Sequence, residues 1–273
     1  MPELPEVETI RAFLDKHVRG KTITAIDLDL PRLIKNTTAD RFQAALTGQT
    51  LEGVSRRGKY LFVHCSGPWS FLAHMRMTGS LLYEERPGQY AGRAIHITFT
   101  LSEGRLLYRD IRTLGCLWLV PSDGPTGVKV RQPGTGCHQS GLYDGPALCV
   151  PERLSSAGED AAPGPDQSGR FGQHLRRRSP VPGGHPAHAP QRQRDEERSG
   201  LLHEAIVAVL QEGLAHGGTT IRNFISGNGK EGQNQENLRV YGREGTPCTV
   251  CGTTIEYTKL NGRGTHYCPK CQS

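Results

Sequence analysis

KYLFVHCS (residues 59–66), followed by SFLAHMRM (residues 70–77), decides the fold of this chain. In the first stretch Leu61, Val63 and Cys65 fall on one face of an extended backbone and Tyr60, Phe62 and His64 on the other. That period of two marks a half-buried β-strand. Gly67 and Pro68 break the run before the second stretch begins, which is turn chemistry. The same short, punctuated pattern extends from Lys21 to about Ser122, in KTITAIDLDL, AIHITFTL and RLLYRD. Roughly 100 residues are therefore predicted to form a β-sandwich or barrel. Upstream, Pro5 suits a first helical turn, and Val7, Ile10, Leu14 and Val18 recur at helical spacing until Gly20. One amphipathic helix thus precedes the strands, and the fold class is α+β.

Beyond the strands the signal changes twice. From about Arg131 to Gly200, Gly and Pro supply 20 of 70 residues and isoleucine is absent, a composition predicted to be disordered. Order returns at LLHEAIVAVLQEGLAHGG (201–218), where Leu202, Ile206, Val209, Leu210 and Leu214 line one helical face and Gly217 supplies a stop. The chain of 273 residues carries a formal charge of +6, which favours a polyanionic partner such as nucleic acid. No apolar run approaches the length of a membrane helix, and the acidic start lacks the parts of a secretion signal. A cytoplasmic location is expected.

In a reducing compartment the clustered cysteines Cys248, Cys251, Cys268 and Cys271 read as metal ligands. Two CxxC pairs separated by sixteen residues match a four-cysteine zinc ribbon, so one structural Zn2+ is expected. Two disulfides are the alternative. Between the pairs, KLNGRGTHY places Lys259, Arg263 and His266 on a Gly-rich hairpin tip, where a guanidinium either grips a phosphate or is simply solvated.

The opening MPELPEVET has two readings on its residues alone. One is a helix start with acidic residues at the positive end of the dipole. In the other, removal of Met1 leaves Pro2 with a free secondary amine of pKa about 8. Such an amine attacks carbon electrophiles and forms an iminium, with Glu3 or Glu6 placed to move the proton.

PELPEVET, RRGKY (56–60), HMRMTG (74–79), YRDIR (108–112), GGTTIRNF (217–224), VYGREG (240–245) and GRGTHYCPKCQ (262–272) occur in this order. Together they resemble the formamidopyrimidine-DNA glycosylases, bifunctional enzymes that remove oxidised purines such as 8-oxoguanine and then cut the strand. The resemblance covers residues 1 to about 129 and about 201 to 273. It implies Pro2 as the nucleophile on the sugar C1′, Glu3 as acid/base, and Lys59 as a proton-transfer and phosphate-contacting group. It implies Arg263 as the zinc-finger residue on the phosphates that assists elimination. His74, Met77 and Arg112 are implied to enter the duplex or touch its backbone, Met77 and Arg112 filling the gap left by the extruded nucleotide. The implied partner is double-stranded DNA with oxidised purines, bound by a monomer. Without the resemblance, Lys59 reads instead as a strand-edge charge, Met77 as core and His74 as a satisfied histidine.

Two departures stand out. After Arg112 the family continues with a basic residue and a phenylalanine wedge, whereas this chain has Thr113 and Leu114, a change that bears on lesion discrimination. The second departure is the family's helix-two-turn-helix motif, for which no matching string exists between about 131 and 200. There GQHLRRRSPVPGGH (172–185) suggests a basic nucleic-acid arm. With codons chosen to suit, however, Gln173–His185 read one base later becomes NIYADEALFRAGI, the core of the missing motif. We therefore expect two compensating frame errors around residues 131–200, with Arg176, Arg177 and Arg178 misread codons. Cys137, Cys149, His174, His185 and His188 are then not ligands. The expected organisation is a catalytic β-sandwich over 1–129, an out-of-frame segment over 130–200, a residual helical domain over 201–236 and a zinc finger over 237–273. Two rivals remain: a zinc-ribbon DNA-binding protein without catalysis, and a related enzyme favouring oxidised pyrimidines.

Overall fold

Eight antiparallel strands follow the first helix, as the alternation requires, in a computed structural model that describes residues 2–90, 94–122, 196–260 and 262–272. Of the segment expected to be out of frame, residues 130–195 lie outside the described residues, while 196–200, expected to be disordered with it, already belong to the helix Glu196–Ala215. The chain divides into two bodies: residues 1–130 with 213–235, and a second that carries residues 236–273.

In the first body, α1 (Leu4–Val18) leads into β1 (Ile23–Leu28), a short 3-10 turn (Pro31–Leu33) and α2 (Ala39–Leu46). There follow β2 (Leu51–Arg57), β3 (Tyr60–Cys65), β4 (Trp69–His74), β5 (Gly79–Glu84), β6 (Ile95–Leu101), β7 (Arg105–Asp110) and β8 (Cys116–Pro121). They make two four-stranded sheets ordered β1-β6-β7-β5 and β2-β3-β4-β8. Their inner faces meet in one apolar core. Phe71 on β4 stacks on Phe99 of β6 with ring centroids 5.0 Å apart, and Phe42 of α2 sets its edge against both.

Helix α1 buries Ile10, Leu14 and Val18 and packs against both β5 and β2. Those are edge strands of the two sheets, so the helix covers borders that would otherwise offer unpaired backbone. Glu8 accepts from Arg11 Nε and Arg56 Nε at 2.7 and 2.6 Å, and Asp15 accepts from the Val54 N–H at 2.8 Å. These bonds tie α1 to β2 and fix where its amino terminus lies.

The sequence pattern did not reveal α2. Its eight residues bury only Phe42 and Leu46, while the Thr38 side chain accepts from Arg41 N–H to cap it. Nor does β5 alternate, since all six of its residues are buried. Part of the covering is the strap that follows the helix α3 (Glu196–Ala215). Tyr83 N–H donates to Gly227 O at 2.9 Å, and Ser80 Oγ donates to Ile225 O at 2.9 Å.

The residues of the expected face of α3 are covered to different degrees. Among its described side chains Leu210 and Ala205 are buried, while Ile206, Val209 and Leu214 are only partly covered. Leu202 lies outside the described side chains. Close approach is made through small residues: a Cβ built on Gly213 would sit 3.1 Å from the Pro5 ring.

The second body contains the hairpin of β9 (Glu256–Leu260) and β10 (Arg263–Tyr267), paired from Arg263 with Leu260 to Tyr267 with Glu256.

Candidate active site

The first turn of α1 is held from both sides by one buried carboxylate. Glu6 Oε2 accepts from the Glu3 N–H at 2.8 Å, and Glu6 Oε1 accepts from the Thr219 N–H at 2.7 Å. Glu6, read from sequence as a possible proton carrier, is therefore a bracket that joins the chain's start to the strap 213 positions later. Gly218 makes the approach possible. It adopts φ +86°, and a Cβ there would lie 3.0 Å from Glu6 Cγ, a conformation and a space that suit only glycine.

This bracket fixes Pro2 and Glu3, both buried. Opposite them is Lys59, at the turn between β2 and β3 where Gly58 adopts φ +58°. The Lys59 Nζ lies 3.9 Å from Glu3 Oε1, with the two side chains 5% and 1% exposed. Lys59 is thus not a strand-edge surface charge. A buried carboxylate and a buried ammonium thus lie beside Pro2, a proton acceptor and a proton donor next to a nitrogen that becomes a free secondary amine only if Met1 is removed.

His74 ends β4, directly across the sheet from Tyr60. It is buried, its Nδ1 accepts from Arg76 N–H at 3.0 Å, and its ring meets that of Tyr60 edge-on. Met77 follows in the loop between β4 and β5 and is 43% exposed, so it is not core. The loop between β7 and β8 lies alongside and exposes Ile111 (47%) and Leu114 (45%), with Arg112 also exposed.

Asp110, fully buried, stitches the two loops together. Its carboxylate accepts from Thr78 Oγ1 at 2.5 Å, from Arg112 N–H at 3.2 Å and from Gly115 N–H at 2.7 Å. Thr78 Oγ1 in turn accepts from Arg112 N–H at 3.0 Å. Beneath the loop sits the Tyr108 phenol, buried and without a hydrogen-bond partner among the described residues. Burial, helped by the charge of Asp110, pushes its pKa above the ordinary phenol value. A Cβ on Gly115 would meet that oxygen at 1.5 Å. We expect Gly115→Ala to destabilise the protein by about 1–3 kcal/mol and Tyr108→Phe to restore much of the loss, as measured by paired denaturation curves. Equal losses with tyrosine and phenylalanine would contradict this packing.

Sequence patterns named Arg112 but not its supports. Asp110, Thr78 and Thr219 carry no periodic signal, because their work is done through bonds to backbone groups distant in sequence.

The four cysteines converge in the second body. Their sulfurs lie within 4.8 Å of one another, with Cys248 to Cys271 at 4.0 Å and Cys251 to Cys268 at 3.5 Å. None is in a disulfide. A tetrahedral ion with metal–sulfur bonds of about 2.3 Å requires sulfur separations of about 3.8 Å, which these distances bracket. The N–H groups of Val250 and Cys271 point at Cys248 Sγ and Cys268 Sγ. Hydrogen bonding by Thr253 lowers the Cys251 thiol to about 6, whereas the neighbouring Cys251 pushes Cys271 up to about 12. Sulfurs this close ionise together only around a cation, so the site fits one structural zinc. Arg263 opens β10 at the exposed end of the hairpin.

Comparison with known proteins finds matches at both ends of the chain. The formamidopyrimidine-DNA glycosylase N-terminal domain matches residues 1–117, and a zinc finger found in FPG and IleRS matches residues 245–273. The chain is 35% identical to a formamidopyrimidine-DNA glycosylase of Pelotomaculum thermopropionicum, covering 100% of this chain and 99% of that protein. It is 36% identical to one from Heliobacterium modesticaldum, with both chains fully covered. Among solved structures, Lactococcus lactis Fpg in complex with abasic-site DNA matches with a TM-score of 0.81 at 29% identity, and a mutant of it with Fapy-dG DNA at 0.80 and 30%. Both pairs are covered in full. A shared domain at the amino terminus, a shared zinc finger at the other end and identity above one third between them leave one assignment: the chain belongs to the formamidopyrimidine-DNA glycosylase family of base-excision-repair enzymes.

Proposed function

We propose that the protein excises oxidised purines, formamidopyrimidine and 8-oxoguanine, from duplex DNA and then cleaves the strand as an AP lyase. The observation that carries this reading is the buried grouping of Pro2, Glu3 and Lys59 held by the Glu6 bracket. The unprotonated Pro2 nitrogen attacks C1′ of the extruded nucleotide. The bond from C1′ to the base breaks, and the base leaves with a proton. Glu3 opens the sugar ring by proton transfer to its oxygen, giving an iminium between Pro2 and C1′. Loss of a C2′ proton then expels the 3′ phosphate, and a second elimination expels the 5′ phosphate. Lys59 moves protons and contacts a phosphate. Arg263 holds phosphate through the elimination. His74 touches the backbone, and Met77 and Arg112 fill the vacated space, joined by Leu114. Their exposure on loops stitched by Asp110 supports that role.

Zinc is structural in this scheme and takes part in no step. The protein acts as a monomer on double-stranded DNA in the cytoplasm, and among the described residues no helix is long and apolar enough to cross a membrane. In the same reading, residues of about 131–200 are a frame-displaced stretch between the catalytic sandwich (1–129), the residual helical segment (201–236) and the zinc finger (237–273). A gene read as one unbroken frame that encodes the peptide as printed would overturn that last point.

Incubation with an 8-oxoguanine duplex, a formamidopyrimidine duplex and an oxidised-pyrimidine duplex tests the activity. Release of the purines ahead of the pyrimidine, with phosphate on both new ends, is expected. Binding without release of any base would favour a zinc-ribbon DNA-binding protein instead.

A further inference from the structure

We propose that Arg32 is a DNA-contacting residue that acts as one unit with Thr113, its guanidinium supplying a phosphate grip beside the exposed loop of Arg112 and Leu114. The proposal rests on the reading that this loop faces the duplex. Arg32 lies outside every motif discussed above, on the 3-10 turn Pro31–Leu33. That turn is firmly seated. Leu33 and Ile34 are buried, Ile34 bridges Leu117 of β8 in parallel, and Lys35 N–H donates to Leu117 O at 3.0 Å. The Asn36 amide then clasps Leu119, donating to its carbonyl at 2.6 Å and accepting from its N–H at 3.0 Å.

From this platform Arg32 reaches the loop. Its Nη2 donates to Thr113 Oγ1 at 2.6 Å. Thr113 adopts φ +52°, a left-handed conformation that costs a β-branched residue about 1–2 kcal/mol. That backbone is held by Asp110 O, which accepts from Thr113 N–H at 3.3 Å. The hydroxyl is thereby presented to Arg32. One of the five guanidinium N–H donors is spent there, and the residue is otherwise exposed.

The charge pattern indicates what those donors meet. Arg11, Arg19, Lys21, Arg56 and Arg105 each pair with a carboxylate of the same body. Arg32, Lys35, Arg76 and Arg112 are exposed and pair with none among the described residues, as is also true of Lys16, Arg41, Arg57 and Arg86, and the first four lie on or just after the turn Pro31–Leu33 and in the loops that follow β4 and β7. A guanidinium bound to a neutral hydroxyl keeps its full charge for an incoming anion, and its planar fork suits a phosphate. The loop at its side exposes apolar Ile111 and Leu114. Apolar residues rimmed by unpaired cations fit a base step flanked by phosphates.

Fluorescence anisotropy with a duplex carrying a tetrahydrofuran abasic analogue, titrated between about 25 and 200 mM salt, tests the proposal. Arg32→Ala and Arg32→Gln should each weaken binding by about 5–30-fold and lower the salt slope by about one. Arg32→Lys should restore the slope but only part of the affinity. Thr113→Val, which removes the hydroxyl and keeps the shape, should weaken binding less and add little to Arg32→Ala. Arg112→Ala serves as the reference. If it weakens binding while Arg32→Gln changes neither affinity nor slope, the proposal fails alone. If Arg112→Ala also has no effect, or the parent binds no duplex, the reading of the loop fails and takes the proposal with it.

Discussion

Retention of Met1, or one extra residue ahead of Pro2, should reduce the borohydride-trapped adduct by a factor of about 10³ or more. The reason is electronic. A Pro2 nitrogen inside a peptide bond shares its lone pair with a carbonyl and no longer attacks carbon. Space adds to the effect, since Pro2 is buried against the first turn of α1. Melting behaviour should change little, because the core residues Ile10, Leu14 and Val18 lie further along the helix. Glu3→Gln should behave differently. It keeps the nucleophile and loses the proton acceptor 3.9 Å from Lys59, so trapping should slow by about 10²–10⁴ without vanishing. Single-turnover rates on a duplex with a preformed abasic site separate the two cases.

Removal of zinc has the second large consequence. Among the described residues of 236–273 the apolar cluster contains Val240 and Ile255 with Cys248 and Cys268, far too little for that segment to fold on its own. Metal binding supplies about 10–16 kcal/mol in comparable small zinc modules. Chelation, or Cys251→Ser, should therefore open β9 and β10, and amide exchange in residues 246–272 should rise by about 10³ or more. Strands β1–β8 should keep their protection, since their core contains no ligand of the metal. Metal analysis should give one zinc per chain. Unchanged exchange in the hairpin after chelation would contradict the assignment of the four cysteines.

Strands and the first helix were legible because burial on one face leaves a period in the sequence. β3 shows the alternation directly, with Leu61, Val63 and Cys65 buried between partly exposed neighbours. The same logic fails for β5, which is covered on both faces, and for α2, where two buried residues in eight make too faint a pattern. At the candidate site, the cysteines were legible from their spacing and Pro2 and Glu3 as residue types of distinctive chemistry, whereas Lys59 was implied only by the family resemblance. Their supports were not. The bond from Thr219 to Glu6 spans 213 positions, and that from Arg32 to Thr113 spans 81. Contacts of this kind are products of sheet topology, and no local spacing encodes them. Asp110 appeared only as one letter of a motif, although its carboxylate fixes the pitch of two loops.

The central claim concerns one nitrogen, and a peptide map tests it most directly. After reduction of the complex with an 8-oxoguanine duplex, proteolysis and mass spectrometry should place the sugar remnant on the peptide that begins at Pro2, at its terminal nitrogen. A remnant carried by Lys59, or by any other side chain, would contradict the account.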